Sequence, residues 1–326
     1  MLPPLLASGF LLLALRFIQM TGHIVVVGSL NMDLVGCAPR LPVAGETITG
    51  HTFFDAPGGK GANQAYAAAK LGGRVSMVGR VGSDDFGRRM RANLEQVGCD
   101  SSGVLVLQGC PSGIALIFVA DDGHNSIMVL PGANGRLTEA DLEGSREHFE
   151  GAAYVLLQLE TPLRTVAAAA RAARRVGARV ILDPAPAQPL SDELLCLAEV
   201  LTPNETEAAI LAGLPPRRLD PVQAADIARQ LRRRGAPIVI VKLGDQGCVL
   251  VSDGEPRYLP APAVQAVDTT AAGDIFNAGL AVGLSEGMGL AAACHFANCA
   301  AAVSVTRRGA QPSAPSRAEV ERILPC

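Results

Sequence analysis

Tryptophan is absent from this chain of 326 residues, and three tyrosines and nine phenylalanines leave aromatics at 4%. Single-stranded nucleic acid is gripped largely by stacked aromatic platforms, of which few can be built here. Positive charge is not in surplus either: 28 Lys and Arg face 31 Asp and Glu, a net of −3. Nucleic-acid binding that works by charge alone is thereby excluded. The strongest apolar terminal run, residues 9–19, falls short of the roughly 20 residues that a bilayer crossing needs. It has no basic stretch before it and no A-x-A cleavage site after it. Met20 opens Met-Thr-Gly-His directly ahead of a strand. Residue 20 is therefore the expected start, residues 1–22 an unpacked extension, and a short hydrophobic anchor the alternative. The eight cysteines include no C-x-x-C pair and no histidine at zinc spacing, which excludes a disulfide framework and a zinc site. Reduced, buried thiols in a cytoplasmic protein are expected instead.

What is present is apolar mass. Hydrophobic residues make up 49% of the chain, enough for a large core. Ile-Val-Val-Val-Gly at 24–28 is a continuous β-branched run of the kind buried on both faces of a parallel sheet. Similar runs recur at 75–81, 154–159, 179–183, 199–202 and 237–243. Between them lie helix-favouring stretches at 62–71, 84–97, 162–176, 190–198 and 222–234. This alternation predicts an α/β fold, a doubly wound, mostly parallel sheet flanked by helices, in one domain over 23–326. Segments 34–56 and 112–130 break the alternation with strands alone, the second around an Asp121-Asp122-Gly123 turn. They are expected to form a small β-sheet lid, whose second face needs burial and so invites pairing with another subunit.

Five strings can carry chemistry. Val267 to Gly279 opens with Asp268-Thr269-Thr270-Ala271-Ala272-Gly273-Asp274, small residues ahead of an Ala/Leu helix and after an expected short apolar strand. Free amides and the dipole at such a helix start favour an anion, and small side chains let a phosphate approach the backbone. Asp274 in the first turn can take a proton from an attacking hydroxyl. An ordinary capped helix explains the same string. Pro57-Gly58-Gly59-Lys60-Gly61-Ala62-Asn63-Gln64 is not a P-loop, since Phe54 stands where Gly is needed and Gly61 where Ser or Thr is. It is a tight, backbone-exposed turn able to offer amides, Lys60 and Asn63 to a hydroxylated ligand. In Gly28-Ser29-Leu30-Asn31-Met32-Asp33, Asn31 and Asp33 share one face of an extended segment and can bracket a vicinal diol. Asn204 and Glu207 sit three apart at a helix start, where caps also occur. Lys242-Leu243-Gly244-Asp245-Gln246-Gly247 is a glycine turn after a strand. Gly283-Leu284-Ser285-Glu286-Gly287 matches a nucleophile elbow in letters only; it follows a helix and reads as a helix end.

Together and in this order, the strings make the chain resemble the ribokinase branch of the PfkB carbohydrate-kinase family, from about residue 23 to 324. Gly58–Gln64 and Asp268–Asp274 correspond to the two family signatures. Pro-Gly-Ala-Asn at 131–134, Asp-Pro-Ala-Pro-Ala at 183–187, Thr-Pro-Asn-Glu-Thr-Glu at 202–207 and Thr-Arg-Arg-Gly-Ala-Gln-Pro-Ser at 306–313 point to that branch. The resemblance implies ATP-dependent phosphorylation of D-ribose at O5. Asp274 would be the base, with the amides of Ala271, Ala272, Gly273 and Asp274 as anion hole. Sugar contacts would come from Asn31, Met32, Asp33, Gly59, Lys60, Gly61, Ala62, Asn63 and Glu160. Nucleotide contacts would come from Asn204, Lys242, Leu243, Gly244, Asp245, Gln246, Gly247, Gly273 and Asn298, with Glu207 linked to Mg²⁺ and phosphate through water. Asp268, Thr270, Ser304, Arg307, Gly309 and Ser313 would enclose a monovalent cation, K⁺. A homodimer through the lid strands is implied, and neither nucleic acid nor membrane is an expected partner. Two departures matter: Lys242 stands where ribokinases often have Thr, and Asn298 where some have His. Deoxyribokinase, fructokinase and a catalytically silent sugar-binding regulator are the alternatives.

Overall fold

The structure, a computed structural model, describes residues 22–324. The readings made of residues 1–21 and of Cys326 lie outside the described residues.

Among the described residues, thirteen strands form two sheets. They are β1 (His23–Val27), β2 (Asn31–Ala38), β3 (Thr52–Gly58), β4 (Val75–Gly82), β5 (Val104–Leu107), β6 (Gly113–Ala120) and β7 (Asn125–Leu130). Then follow β8 (Ala152–Leu157), β9 (Arg179–Leu182), β10 (Val200–Leu201), β11 (Ile238–Lys242), β12 (Cys248–Val251) and β13 (Arg257–Leu259). The helices are α1 (Lys60–Lys70), α2 (Asp85–Gln96), α3 (Glu139–Gly144), α4 (Arg146–Phe149), α5 (Leu163–Arg175) and α6 (Asp192–Leu197). After them come α7 (Glu205–Leu211), α8 (Pro221–Arg233), α9 (Ala272–Ser285), α10 (Leu290–Ser304) and α11 (Arg317–Glu321).

The large sheet runs β13-β12-β11-β10-β9-β8-β1-β4-β5. All of its pairings are parallel except those of β12, which is antiparallel to both neighbours. The β-branched run of β1 explains its central place. Ile24 and Val26 pack into the core under α1, α9 and α10, while Val25 and Val27 pack into the opposite core under α5 and α8. A strand with apolar side chains on both faces is stable only between two helix layers. From β1 the chain winds one way through β4 and β5 and then the other way through β8 to β11. The reversal opens a crevice beyond the carboxyl ends of β1 and β8, where ligands of such sheets bind.

The small sheet, β3-β2-β6-β7, is the expected lid. Its β6–β7 hairpin turns at Asp121–Gly123, with Ala120 N–H donating to the His124 carbonyl at 2.9 Å and Gly123 at φ +88°. Apolar side chains stand open on both lid faces: Phe53 is 69% and Ile127, on the opposite face by register, 55% exposed, and every residue of β7 is exposed.

The short apolar strand expected just ahead of Asp268 is not formed; residues 260–267 are irregular. Pro260 and Pro262 carry no amide hydrogen for a ladder. Strands β5, β12 and β13 lay outside the sequence reading. The Gly283–Gly287 string is indeed a helix end, with Glu286 closing α9 and Gly287 at φ +84°. Among the described residues no helix is long and apolar enough to cross a membrane.

Candidate active site

The start of α9 is built as the sequence indicates. Ala271 caps it in the left-handed region, φ 59°, with no side-chain cap. Ala272 N–H donates to the Thr269 carbonyl at 3.2 Å, so this amide of the expected anion hole is already used. The amides of Gly273 and Asp274 have no acceptor among the described residues. Two free donors at the positive end of a 14-residue helix form a cradle for an anion.

The Asp274 side chain is 5% exposed and held on both oxygens. Oδ2 accepts from Asn63 Nδ2 at 3.0 Å, and Oδ1 accepts from Gln64 Nε2 at 3.0 Å. Burial raises its pKa above the usual carboxylate range; Asp183 adds to the rise, while Lys60 and the two amides oppose it. Raised proton affinity in a carboxylate beside an anion cradle suits a general base.

Asn63 and Gln64 reach Asp274 because α1 starts where it does. Gly59 caps α1 at φ +86°, and a Cβ there would stand 2.6 Å from Asn31 N. At Gly61 a Cβ would stand 2.7 Å from the Gly28 carbonyl carbon. Only glycine lets the helix start press against the end of β1. The same approach gathers the polar residues of the crevice. Lys60 N–H donates to Glu160 Oε2 at 3.2 Å, and Ser29 Oγ donates to the same oxygen at 2.5 Å. Asn134 donates through Nδ2 to Asn31 Oδ1 at 2.8 Å and to the Leu30 carbonyl at 2.8 Å. Burial opposes charge on Lys60, but Asp274, Asp183, Glu160 and Glu207 outweigh it and hold the ammonium above the ordinary lysine range. Burial, then Glu160 and Asp274, push the Asp33 carboxyl up to about 7. Asn63 thus bonds Asp274, Lys60 and Asp33 feel its charge, Glu160 acts on both of these, and Asn31 lies two residues before Asp33 on β2. Met32 and Ala62, expected contacts, are buried in the core with 0% and 2% exposure.

On the other side of Gly273 lies a cavity of about 400 Å³. Lys242, Gly244, Asp245, Gly247, Gly273 and Asn298 line it, together with the apolar Phe276. Asn298 Nδ2 donates to the Leu259 carbonyl at 3.0 Å. Leu243 is buried under the turn, and Gln246 does not line the cavity. Asn204 and Glu207 are not brought into its wall either. They form a capping box on α7: Glu207 N–H donates to Asn204 Oδ1 at 2.8 Å, and Asn204 N–H donates to Glu207 Oε2 at 2.8 Å. Lys242 and Lys60 still feel the Glu207 carboxylate, whose pKa burial raises.

Asp268 ties two loops together. Its Oδ1 accepts from Thr270 N at 2.9 Å and its Oδ2 from Gly309 N at 2.8 Å. Ser304 and Ser313 are buried, their hydroxyls donating to the Ala301 and Ala310 carbonyls at 2.7 and 2.8 Å. The Arg307 guanidinium, which pairs with Glu319, is itself a cation without an acceptor; only the main-chain carbonyl of Arg307 can ligate a cation. The donors left are hard oxygens with one carboxylate, a set matched to a weakly held monovalent cation. No cluster of three His, Cys, Asp or Glu suited to a metal ion occurs among the described residues. A divalent ion here would rest mainly on ligand phosphates and water.

Sequence reasoning missed the residues that lock these parts together. Asp183, just after β9, accepts from Lys242 Nζ at 3.0 Å and from Gln64 Nε2 at 3.1 Å. Gln158 Nε2 donates to Gln64 Oε1 at 2.7 Å, and Gln311 Nε2 donates to Asn63 Oδ1 at 3.2 Å. The available signal was polarity: Gln158 and Asp183 follow apolar strands in a sheet whose ligands bind at strand ends.

Comparison with known proteins finds relatives over most of the chain. The profile of the pfkB family of carbohydrate kinases matches residues 21–317. The chain is 42% identical over 299 residues to the ribokinase of Haemophilus influenzae, covering 92% of this chain and 97% of that one. It is 38% identical to the deoxyribokinase of Salmonella typhi, covering 90% and 95%. The Arabidopsis thaliana ribokinase solved with ribose and ATP superposes with a TM-score of 0.87 at 37% identity, covering 94% and 99%.

Proposed function

The chain belongs to the pfkB family of carbohydrate kinases, and from that premise we propose that it transfers the γ-phosphoryl group of ATP to the 5-hydroxyl of D-ribose, giving D-ribose 5-phosphate. One observation carries the reading. Asp274 lies between a polyol-type polar set (Asn31, Asp33, Lys60, Asn63, Glu160) and a nucleotide-sized cavity, next to two free amides. Relatives named ribokinase match nearly the whole chain, and one of them was solved with ribose and ATP.

Phosphoryl transfer asks for positioning and charge stabilisation more than for covalent help. Asp274 takes the proton of O5 as that oxygen attacks. Asn63 and Gln64 aim its carboxylate, leaving outer lone pairs for the proton. The Gly273 and Asp274 amides, at the positive end of α9, meet the charge on the transferred group. Asn31 spends its carbonyl oxygen on Asn134 and keeps its amide hydrogens for a sugar hydroxyl. Asp33, once ionised, accepts from the neighbouring hydroxyl. Mg²⁺ bound with the nucleotide would neutralise phosphate charge, near Glu207 through water. A monovalent cation such as K⁺ fits the oxygen set around Asp268, where it would brace the loop that carries the anion hole. The open apolar side chains of the lid are covered by the lid of a second copy, making a homodimer.

The Asn31–Asp33 pair favours ribose over deoxyribose, because a sugar without the 2-hydroxyl leaves a buried polar group unpaired. Coupled ADP release on ribose, deoxyribose and fructose tests the assignment. Ribose should give the highest kcat/KM, and a preference for either other sugar would overturn it.

A further inference from the structure

Lys242 and Asp183 form an ion pair inside the protein, Nζ to Oδ1 3.0 Å, with side chains 11% and 3% exposed. Attraction between two ions taken out of water rarely repays their desolvation, and apolar groups of similar volume often serve stability as well. The pair's placement has more to say than its strength. Lys242 ends β11 and faces the cavity of about 400 Å³. Its ammonium lies 3.4 Å from the point a Cβ on Gly273 would occupy, beside a free amide of the anion cradle. The second oxygen of Asp183 accepts from Gln64 Nε2 at 3.1 Å, and that same nitrogen donates to Asp274 Oδ1 at 3.0 Å. Gln158 fixes the other end of the Gln64 amide at 2.7 Å, so both of its hydrogens point at the two carboxylates. A continuous string of hydrogen bonds therefore runs from the ammonium at the anion cradle to the acid at the acceptor hydroxyl.

We infer that Lys242 is a further catalytic residue, whose ammonium meets the phosphoryl group in transit beside Gly273, and that Asp183 is the positioning residue that holds it there. The inference rests on the kinase reading and adds to it a charge supplied by the strand end. Asp183 neutralises the ammonium in a poorly solvated cavity before nucleotide arrives. When phosphate oxygens arrive, the ammonium has three hydrogens and can serve both partners. Asp183 also keeps one hydrogen of Gln64 engaged, which leaves the other for Asp274. Gln64 thereby bridges two carboxylates that repel each other.

The test compares wild type with Lys242→Met, Lys242→Arg, Asp183→Asn and the double variant Lys242→Met with Asp183→Asn. Turnover with ATP and ribose, ribose KM and melting temperature are measured for each. Lys242→Met should lose about 10²-fold in kcat, the scale of one lost transition-state donor, with ribose KM close to wild type. Lys242→Arg should recover part of that loss. Asp183→Asn should melt earlier, because it leaves a buried charge unpaired. The double variant should regain the melting temperature but not the turnover. Wild-type kcat in Lys242→Met or in the double variant would make the pair purely structural and overturn the inference. Should Asp183→Asn fail to fold, those two proteins decide the matter alone. Should wild type prefer another sugar, the ribose assignment falls while the same variants, assayed on that sugar, still decide the role of Lys242. Should wild type phosphorylate no sugar, both readings fall.

Discussion

Asn63 Nδ2 donates to Asp274 Oδ2 at 3.0 Å across 211 positions of sequence. That bond joins the first turn of α1 to the first turn of α9, the two glycine-rich strings that sequence reading singled out separately. Each helix start is unusual by itself: one is capped by glycine at φ +86°, the other by alanine at φ 59°. Their meeting converts two local oddities into one site. The acid belongs to the anion cradle, and the amide that aims it belongs to the sugar side.

Gly59→Ala tests how closely the α1 start must approach β1. The new methyl would stand 2.6 Å from Asn31 N, at a φ that side chains rarely adopt. Backbone strain of this kind costs about 1–3 kcal/mol. The variant should melt several degrees lower and lose most ribose turnover, because Lys60 and Asn63 move together with the helix start. Unchanged kcat/KM would mean that the approach is not needed.

Asp33 gives the protein a pH signature. Its carboxyl is pushed up from 3.8 to about 7, so the folded chain keeps a proton that the unfolded chain has lost over that interval. Stability from this group is complete below about pH 4 and is lost as pH rises through about 7. The full shift corresponds to about 4 kcal/mol, and the partial solvent access of Asp33 lowers this to about 1–2. Asp33→Asn lacks that slope. Thermal melts should find the variant more stable than wild type near pH 8 and level with it near pH 4. Ribose kcat/KM of wild type should rise through about pH 7, as Asp33 becomes an acceptor, and this limb should vanish in the variant. Parallel melting curves for the two proteins would contradict the assignment.

The lid supplies an assembly prediction. By register Phe53, Phe118 and Met128 share one face of the small sheet and Phe54 and Ile127 the other, and all five are open. Exposed apolar patches of this kind mark interaction surfaces. Sedimentation of wild type should give twice the chain mass, and Ile127→Lys with Met128→Lys should give the chain mass. A monomeric wild type would remove the dimer from the account.

The architecture was legible because buried parallel strands must be apolar on both faces. The runs at 24–28, 75–81 and 237–243 announced β1, β4 and β11 to within a residue or two. β12 is an apolar run of only four residues, Cys248–Val251, behind a glycine turn, and β13 is a three-residue edge strand; such short segments do not separate from loop in the sequence. The apolar letters around Val264 and Val267 misled, since two prolines among them remove ladder donors. Within the site, Asp274, Lys60 and Asn63 could be found because glycine and helix-start chemistry is local. Asp183, Gln64 and Gln158 could not be assigned roles, because their meaning lies in contacts made across distant strand ends. Asn204 and Glu207 show the reverse: the alternative of plain helix capping is what their side chains do.

Turnover of Asp274→Asn bears most directly on the account. Asparagine keeps the size of the side chain but cannot take the O5 proton, and loss of a general base costs about 10²–10⁴ in rate. A coupled ADP assay run beside calorimetric ribose titration should find turnover nearly abolished and ribose still bound. Full-rate phosphorylation of ribose by the variant would contradict it.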